Sequence, residues 1–170
     1  MLSTSLIYSQ NKIFIGTQSF FSTPTWRFKN TADPNFSGLN DTYSEISIAK
    51  GNNVNMLLVT TSVFHSSYKI SGPVIVYLKS GKAISINTIR SRDFSDGSAT
   101  TIFTLTLLQL KELMKSDISS IRYSKSYYSI KEGVTANNTY EEYAGMSNFN
   151  LPYYNTKENQ TSADIEELFN

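Results

Sequence analysis

The clearest pattern of apolar and polar positions runs from Gly72 to Tyr128. Pro73-Val74-Ile75-Val76-Tyr77-Leu78 is a run of branched and aromatic residues that suits a pleated strand. It is apolar on both faces, which predicts a central strand covered on both sides. Lys79-Ser80-Gly81-Lys82 breaks the run. Ala83 to Ile89 then resumes with alternation, Ile84 and Ile86 on one face and Ser85 and Asn87 on the other. The Ser-Gly break predicts a hairpin, because glycine supplies the positive φ of a tight turn. Ser91 to Ser98 reads as a polar loop and Thr100 to Thr104 as a further strand. Thr106 followed by Gln109 is a capping-box pattern and predicts a helix over 107–115. Leu107, Leu110 and Met114 share one face of it, with Leu113 beside them. Ile118 and then Ser120 to Tyr128 return as a strand, with Ile121, Tyr123 and Tyr127 on one face.

Upstream, Ser5 to Tyr8 and Lys12 to Gly16 are short strand candidates joined at Ser9-Gln10-Asn11. Trp26-Arg27-Phe28-Lys29 alternates, with Trp26 and Phe28 together. Asn30 to Thr42 is a loop rich in Gly, Pro, Asn and Asp. Tyr43 to Lys50, Met56 to Thr61 and a short stretch from Phe64 to Ile70 add strands. Closely spaced strands with turn signals between them predict a mainly β fold. The expected architecture is an antiparallel sandwich-like or barrel-like sheet with one packed short helix.

After Tyr128 the period is lost. Residues 1–128 therefore read as a β-rich domain and 129–170 as an irregular arm rich in Tyr and Asn. The arm ends in a short amphipathic helix, Thr161 to Phe169, capped by Thr161 or Ser162 and striped by Ile165, Leu168 and Phe169. So short a helix does not hold alone, and it needs a surface to pack on. The arm is expected to dock on a neighbouring subunit, a copy of this chain or another one. Its interface residues would be Tyr140, Tyr143, Tyr153, Tyr154, Ile165, Leu168 and Phe169.

Composition narrows the function. A formal net charge of +1 gives no electrostatic pull toward nucleic acid or an anionic membrane. The absence of cysteine excludes disulfides and thiolate metal sites. No apolar run approaches the ~20 residues of a membrane span, and the N-terminus lacks the basic and apolar regions of a signal peptide. The expectation is synthesis in the cytoplasm, with assembly into a virion one destination.

Candidate chemistry is sparse. His65 is the single histidine, and no Gly-x-Ser-x-Gly elbow accompanies it. Asp93-Phe94-Ser95-Asp96-Gly97 carries two acids without the spacing of a calcium loop, and reads as a turn closed by Asp-Gly. Glu141-Glu142 and Glu166-Glu167 are adjacent pairs, not converging carboxylates. Lys79, Lys82, Arg90 and Arg92 mark a solvated hairpin tip. No phosphate loop, zinc motif or dinucleotide fingerprint is present, so no catalytic, cofactor or metal residue is expected. The surplus lies in aromatics. The expected function is a non-enzymatic structural or interaction subunit. The alternative is a carbohydrate-binding module with Trp26 and Phe28 as its stacking platform.

Three stretches carry a resemblance: Thr23-Pro24-Thr25-Trp26-Arg27-Phe28, the run from Ile70-Ser71-Gly72 through Leu78, and the helix with Asp117-Ile118-Ser119-Ser120-Ile121-Arg122. Over about half the chain the pattern resembles small uncharacterised β-rich proteins of gut Bacteroidetes and their phages. The resemblance implies a β-rich core and a phage particle as one setting, with no activity and no catalytic residue. The C-terminal segment lies outside it.

Overall fold

A computed structural model describes residues 11–31, 43–63, 65–147, 149 and 151–170. The strand candidate Ser5 to Tyr8 and most of the Asn30 to Thr42 loop lie outside the described residues. The fold is mainly β, as the pattern predicts. The strands are β1 (Asn11–Ile15), β2 (Gln18–Ser22), β3 (Trp26–Thr31), β4 (Tyr43–Lys50), β5 (Asn55–Ser62), β6 (Lys69–Leu78), β7 (Ala83–Ile86), β8 (Ile89–Ser95), β9 (Ser98–Leu105), β10 (Ile118–Tyr127), β11 (Ile130–Asn137), β12 (Tyr140–Met146) and β13 (Pro152–Lys157). Among the described residues there are also two helices, α1 (Leu107–Lys115) and α2 (Thr161–Phe169). No helix among the described residues is long and apolar enough to cross a membrane.

One antiparallel sheet runs β7-β6-β10-β11-β3-β4-β5-β9-β8, with the β1–β2 hairpin attached through β2 to β4. The two end strands, β7 and β8, are neighbours in sequence, so the sheet curls until its edges approach. The Thr104 N–H donates to the Thr88 carbonyl across 2.8 Å, and Arg92 Nε reaches the Ile70 carbonyl at 3.3 Å. The inward faces of the curled sheet then share one core, from Trp26, Phe28, Ile46 and Leu57 to Val76, Ile86, Phe103 and Ile121. At one end the core is sealed by α1 and α2. At the other its wall turns polar, with Ser44 joined to the Tyr123 hydroxyl at 2.7 Å and Lys125, 2% exposed, near Glu132 at 3.9 Å.

Local sequence explains most elements. Thr106 accepts from the Gln109 N–H while Gln109 bonds back to the Thr106 N–H, so the expected capping box starts α1. Leu110 and Leu113 are buried, but Leu107 is exposed, so the packed stripe begins one turn later than its spacing predicts. The hairpin β6–β7 forms with Val76 opposite Ile84 and Val74 opposite Ile86.

Several boundaries move. The turn expected at Ser9-Gln10-Asn11 lies, but for Asn11, outside the described residues. β1 turns at Gly16-Thr17 and pairs with β2, which holds Phe20 and Phe21. Phe64 to Ile70 is not a strand of its own, since 65–67 form a turn and β6 starts at Lys69. The strand continues through Ser71-Gly72-Pro73 because a bulge opposite β10 absorbs the break. Gly72 takes a φ of +72° there, and the bulge leaves the missing N–H of Pro73 unneeded. The polar stretch Ser91 to Ser98 is mostly strand β8, joined to β9 by the Asp96-Gly97 turn, both residues at positive φ. An edge strand with solvent on one side tolerates polar side chains, so hydrophobic alternation could not mark it.

The largest correction concerns residues 129–170. They are not an arm beside a finished domain. β11 lies inside the sheet between β10 and β3, with Val134 and Ala136 in the core. α2 is built in as well. Ile165 is 0% exposed, Leu168 is buried, and Phe169 is half-buried under the Lys50 ammonium. The helix carries no side-chain cap of its own, since its N-cap residue is Gln160 and not Thr161 or Ser162. Asp117 caps it from outside, accepting from the Ser162 N–H at 2.9 Å and its hydroxyl at 2.8 Å. Thr161 Oγ1 accepts the Ile118 N–H, Asn138 bridges the Ile118 and Asn159 carbonyls, and the Trp26 indole donates to Asp164. A helix of 9 residues persists because these anchors and the core hold it.

Candidate interaction site

With β11 and α2 in the fold, one part of the C-terminal segment stands apart. β12 and β13 form a separate two-stranded sheet. Its root is fixed. The Lys29 N–H bonds the Thr139 carbonyl, and the Lys29 ammonium pairs with Glu141, a contact that holds the lysine pKa above its ordinary value. Asn138 and Asn159 interlock side chain to backbone just below the two strands. Beyond that root the hairpin reaches outward. Tyr143 pairs with Tyr154 across the strands, their rings edge to face with centroids 6.0 Å apart. A bulge at Gly145 lets the Tyr153 ring lie over the backbone. At the tip the Ser147 hydroxyl accepts the Leu151 N–H, and Ser147 N–H returns to the Leu151 carbonyl.

All six residues of β13 are exposed, on both faces of the strand. Tyr143, Met146, Leu151, Tyr153 and Tyr154 are each about half exposed or more, and Phe149 is 86% exposed. A lone two-stranded hairpin is marginal in water, so its aromatic and apolar side chains are an unusual load for a strand pair that no third layer covers among the described residues.

The residues named from sequence therefore separate. Tyr143, Tyr153 and Tyr154 lie together on the hairpin, with Tyr140 half-buried at its root. Ile165, Leu168 and Phe169 are structural and leave the candidate interface. Trp26 and Phe28 are buried, Trp26 with its indole on Asp164, so the stacking platform expected there does not exist. Their alternation was the signal of a core strand. Met146, Phe149 and Leu151 belong to the exposed set and were missed, because single apolar residues among Ser and Asn carry no period.

The other candidate chemistry is local. His65 is exposed, takes the Ser67 N–H on Nδ1, and lies edge-on to Tyr127 with centroids 5.2 Å apart. Among the described residues it meets no carboxylate. Tyr68 stacks on Tyr127 at 4.7 Å; burial, the nearby Glu132 charge and Tyr127 raise its pKa. Asp93 Oδ1 accepts the Phe94 N–H and shapes its own strand. Among the described residues no group of three His, Cys, Asp or Glu is placed to hold a metal.

Comparison with family models, with curated proteins and with solved structures found no match.

Proposed function

We propose that this protein is a non-enzymatic interaction subunit that docks on a neighbouring protein subunit through the β12–β13 hairpin. The observation that carries the reading is β13, a strand exposed along its whole length beside a strand that bears Tyr143 and Met146. Among the described residues its outer edge pairs with no strand. An unpaired edge with aromatic anchors is what strand addition at an interface uses: backbone bonds supply adhesion and the alternate side chains supply fit. A second copy is the first partner to test, because β13 holds no acid and only one lysine, and two such edges meet without like-charge crowding. The resemblance to small β-rich proteins of gut Bacteroidetes and their phages makes a phage particle the assembly in which to look for the interface.

Light scattering across a concentration series tests it. The full chain should associate, and Y143S/M146S/Y153S/Y154S should be a monomer with an unchanged melting temperature. A full chain that stays monomeric at every concentration ends the two-copy reading.

A further inference from the structure

The seam where the sheet closes carries a second feature, independent of the hairpin. β7 pairs with Val74 to Tyr77 of β6, and β8, which follows it, pairs with β9 instead. Lys69 to Ser71 of β6 pair with β10 on one side, and among the described residues no strand pairs with them on the other. One side chain crosses that gap: Arg92 of β8 donates from Nε to the Ile70 carbonyl at 3.3 Å. A cleft of about 310 Å³ opens here, between the 66–69 turn and β8–β9, at the lower end of the range of small-molecule sites. The register sets Arg92 opposite Thr101 and Phe94 opposite Ala99, so these four share the inner face of the β8–β9 pair. Asp93 and Thr100 border the cleft too, but as an opposed pair they belong to the outer face.

We infer that this cleft binds a small organic anion, one carboxylate on an apolar body. Thr101 lies on its floor, 1% exposed, and the Thr101 hydroxyl has no hydrogen-bond partner among the described residues. A buried hydroxyl left unmet is costly, and a ligand oxygen that accepts from it removes the cost. Arg92 and Lys69 line the same cleft, and neither meets a carboxylate among the described residues. Arg92 uses Nε on Ile70, which leaves its Nη groups to fork onto a carboxylate. The same bond holds the guanidinium in place and lowers the ordering cost of binding. The charge of Glu132 reaches Tyr68, but Lys125 at 3.9 Å answers it, so it does not cancel Arg92 and Lys69. Tyr68, Ala99 and the half-exposed Phe94 supply apolar surface beside these donors. A bare inorganic anion would leave that surface unused, and a neutral polyol would leave the cations unmatched. A carboxylate on an apolar body uses both.

The test is isothermal titration calorimetry of the full chain with hexanoate and phenylacetate, each beside its neutral amide. At least one carboxylate is expected to bind saturably, and its amide roughly tenfold more weakly. T101V, which keeps the side-chain shape and removes the unmet hydroxyl, should melt no lower than the unaltered protein and lose roughly tenfold in carboxylate affinity. R92Q should lose at least as much. Because Arg92 also ties β8 to β6, T101V decides the matter if R92Q melts early. Y143S/M146S/Y153S/Y154S should bind the carboxylate like the unaltered protein, so failure of the hairpin reading leaves this one standing. No saturable heat with either carboxylate, equal affinity for the amide, or unchanged affinity in T101V overturns the inference.

Discussion

β11 and β13 make an instructive pair. β11 reads Ile-Lys-Glu-Gly-Val-Thr-Ala-Asn, has no aromatic and contains a glycine, yet it lies in the interior of the sheet. β13 reads Pro-Tyr-Tyr-Asn-Thr-Lys, has the stronger strand formers, and is exposed throughout. Intrinsic propensity would rank them the other way. The difference is in what each strand can reach. β11 follows β10 through a two-residue turn at Tyr128-Ser129, so hairpin pairing from Tyr127 opposite Ile130 to Ser120 opposite Asn137 is local and quick to close. That pairing also delivers Val134 and Ala136 to the inner face. β13 follows a turn that sends it back along β12 alone, away from the core. Burial in this protein is assigned by neighbours, not by composition.

The largest expected effect tests the embedded half of that pair. A chain stopped after Tyr128 should be unfolded, with no cooperative thermal transition by circular dichroism. It loses β11, and with α2 it loses Ile165 and Leu168 from the core. Truncating side chains of that kind costs about 2–5 kcal/mol each, so those two alone are on the scale of a whole domain's stability of roughly 5–15 kcal/mol. A folded truncated domain would restore the boundary at 128 and refute the placement of α2.

A smaller effect comes from the anchor of α2. Burial opposes ionisation of Asp117, but the N–H and hydroxyl of Ser162, together with Lys79, outweigh it and hold the carboxyl pKa below its ordinary value. A group depressed in the folded state stabilises above its unfolded pKa, and that contribution is lost as pH falls through the folded one. D117N should therefore lower stability at neutral pH by about 1 kcal/mol and flatten the acid limb of the stability profile. Denaturant melts at a series of pH values would check this. Parallel acid limbs for both proteins would show that Asp117 does not couple α2 to pH.

The smallest effect lies at the turn that brings β11 in. Tyr128 takes a φ of +49°, is 83% exposed, and meets Tyr127 edge to face at 4.5 Å. A non-glycine residue in this region costs about 1–2 kcal/mol, and an edge-to-face pair returns roughly 0.5–1.5 kcal/mol. Y128G should leave stability within about 1 kcal/mol of the starting protein, on the stabilising side. A loss of more than that in a denaturant melt would mean that the ring pair, and not the pairing of β10 with β11, directs the chain into the sheet.

Much of the architecture was written locally. The alternation of Trp26 with Phe28, of Ile46 with Ile48 and of Ile84 with Ile86 marked inward positions, and all six are buried. The capping box of α1 and the Asp-Gly turn at 96–97 also form from residues near in sequence. Such features depend on side-chain period and on φ preferences that a few neighbours determine. The place of β8 had no such signature. Arg92 and Asp93 read as a solvated hairpin and its turn until pairing with β9 put them in an edge strand.

By itself, then, the sequence determined a mainly β chain, the inner faces of its strands, the start of α1 and the existence of a short amphipathic helix at 161–169. Only the tertiary structure decided that this helix seals the core, that β11 is an inner strand, that Trp26 is covered, and that the surplus tyrosines gather on a projecting hairpin. The physical reason is range. Period and turn chemistry act over a few residues, whereas the Asp117 cap on Ser162 and the Trp26 bond to Asp164 join positions 45 and 138 residues apart. Such contacts exist only once the sheet has brought their strands together.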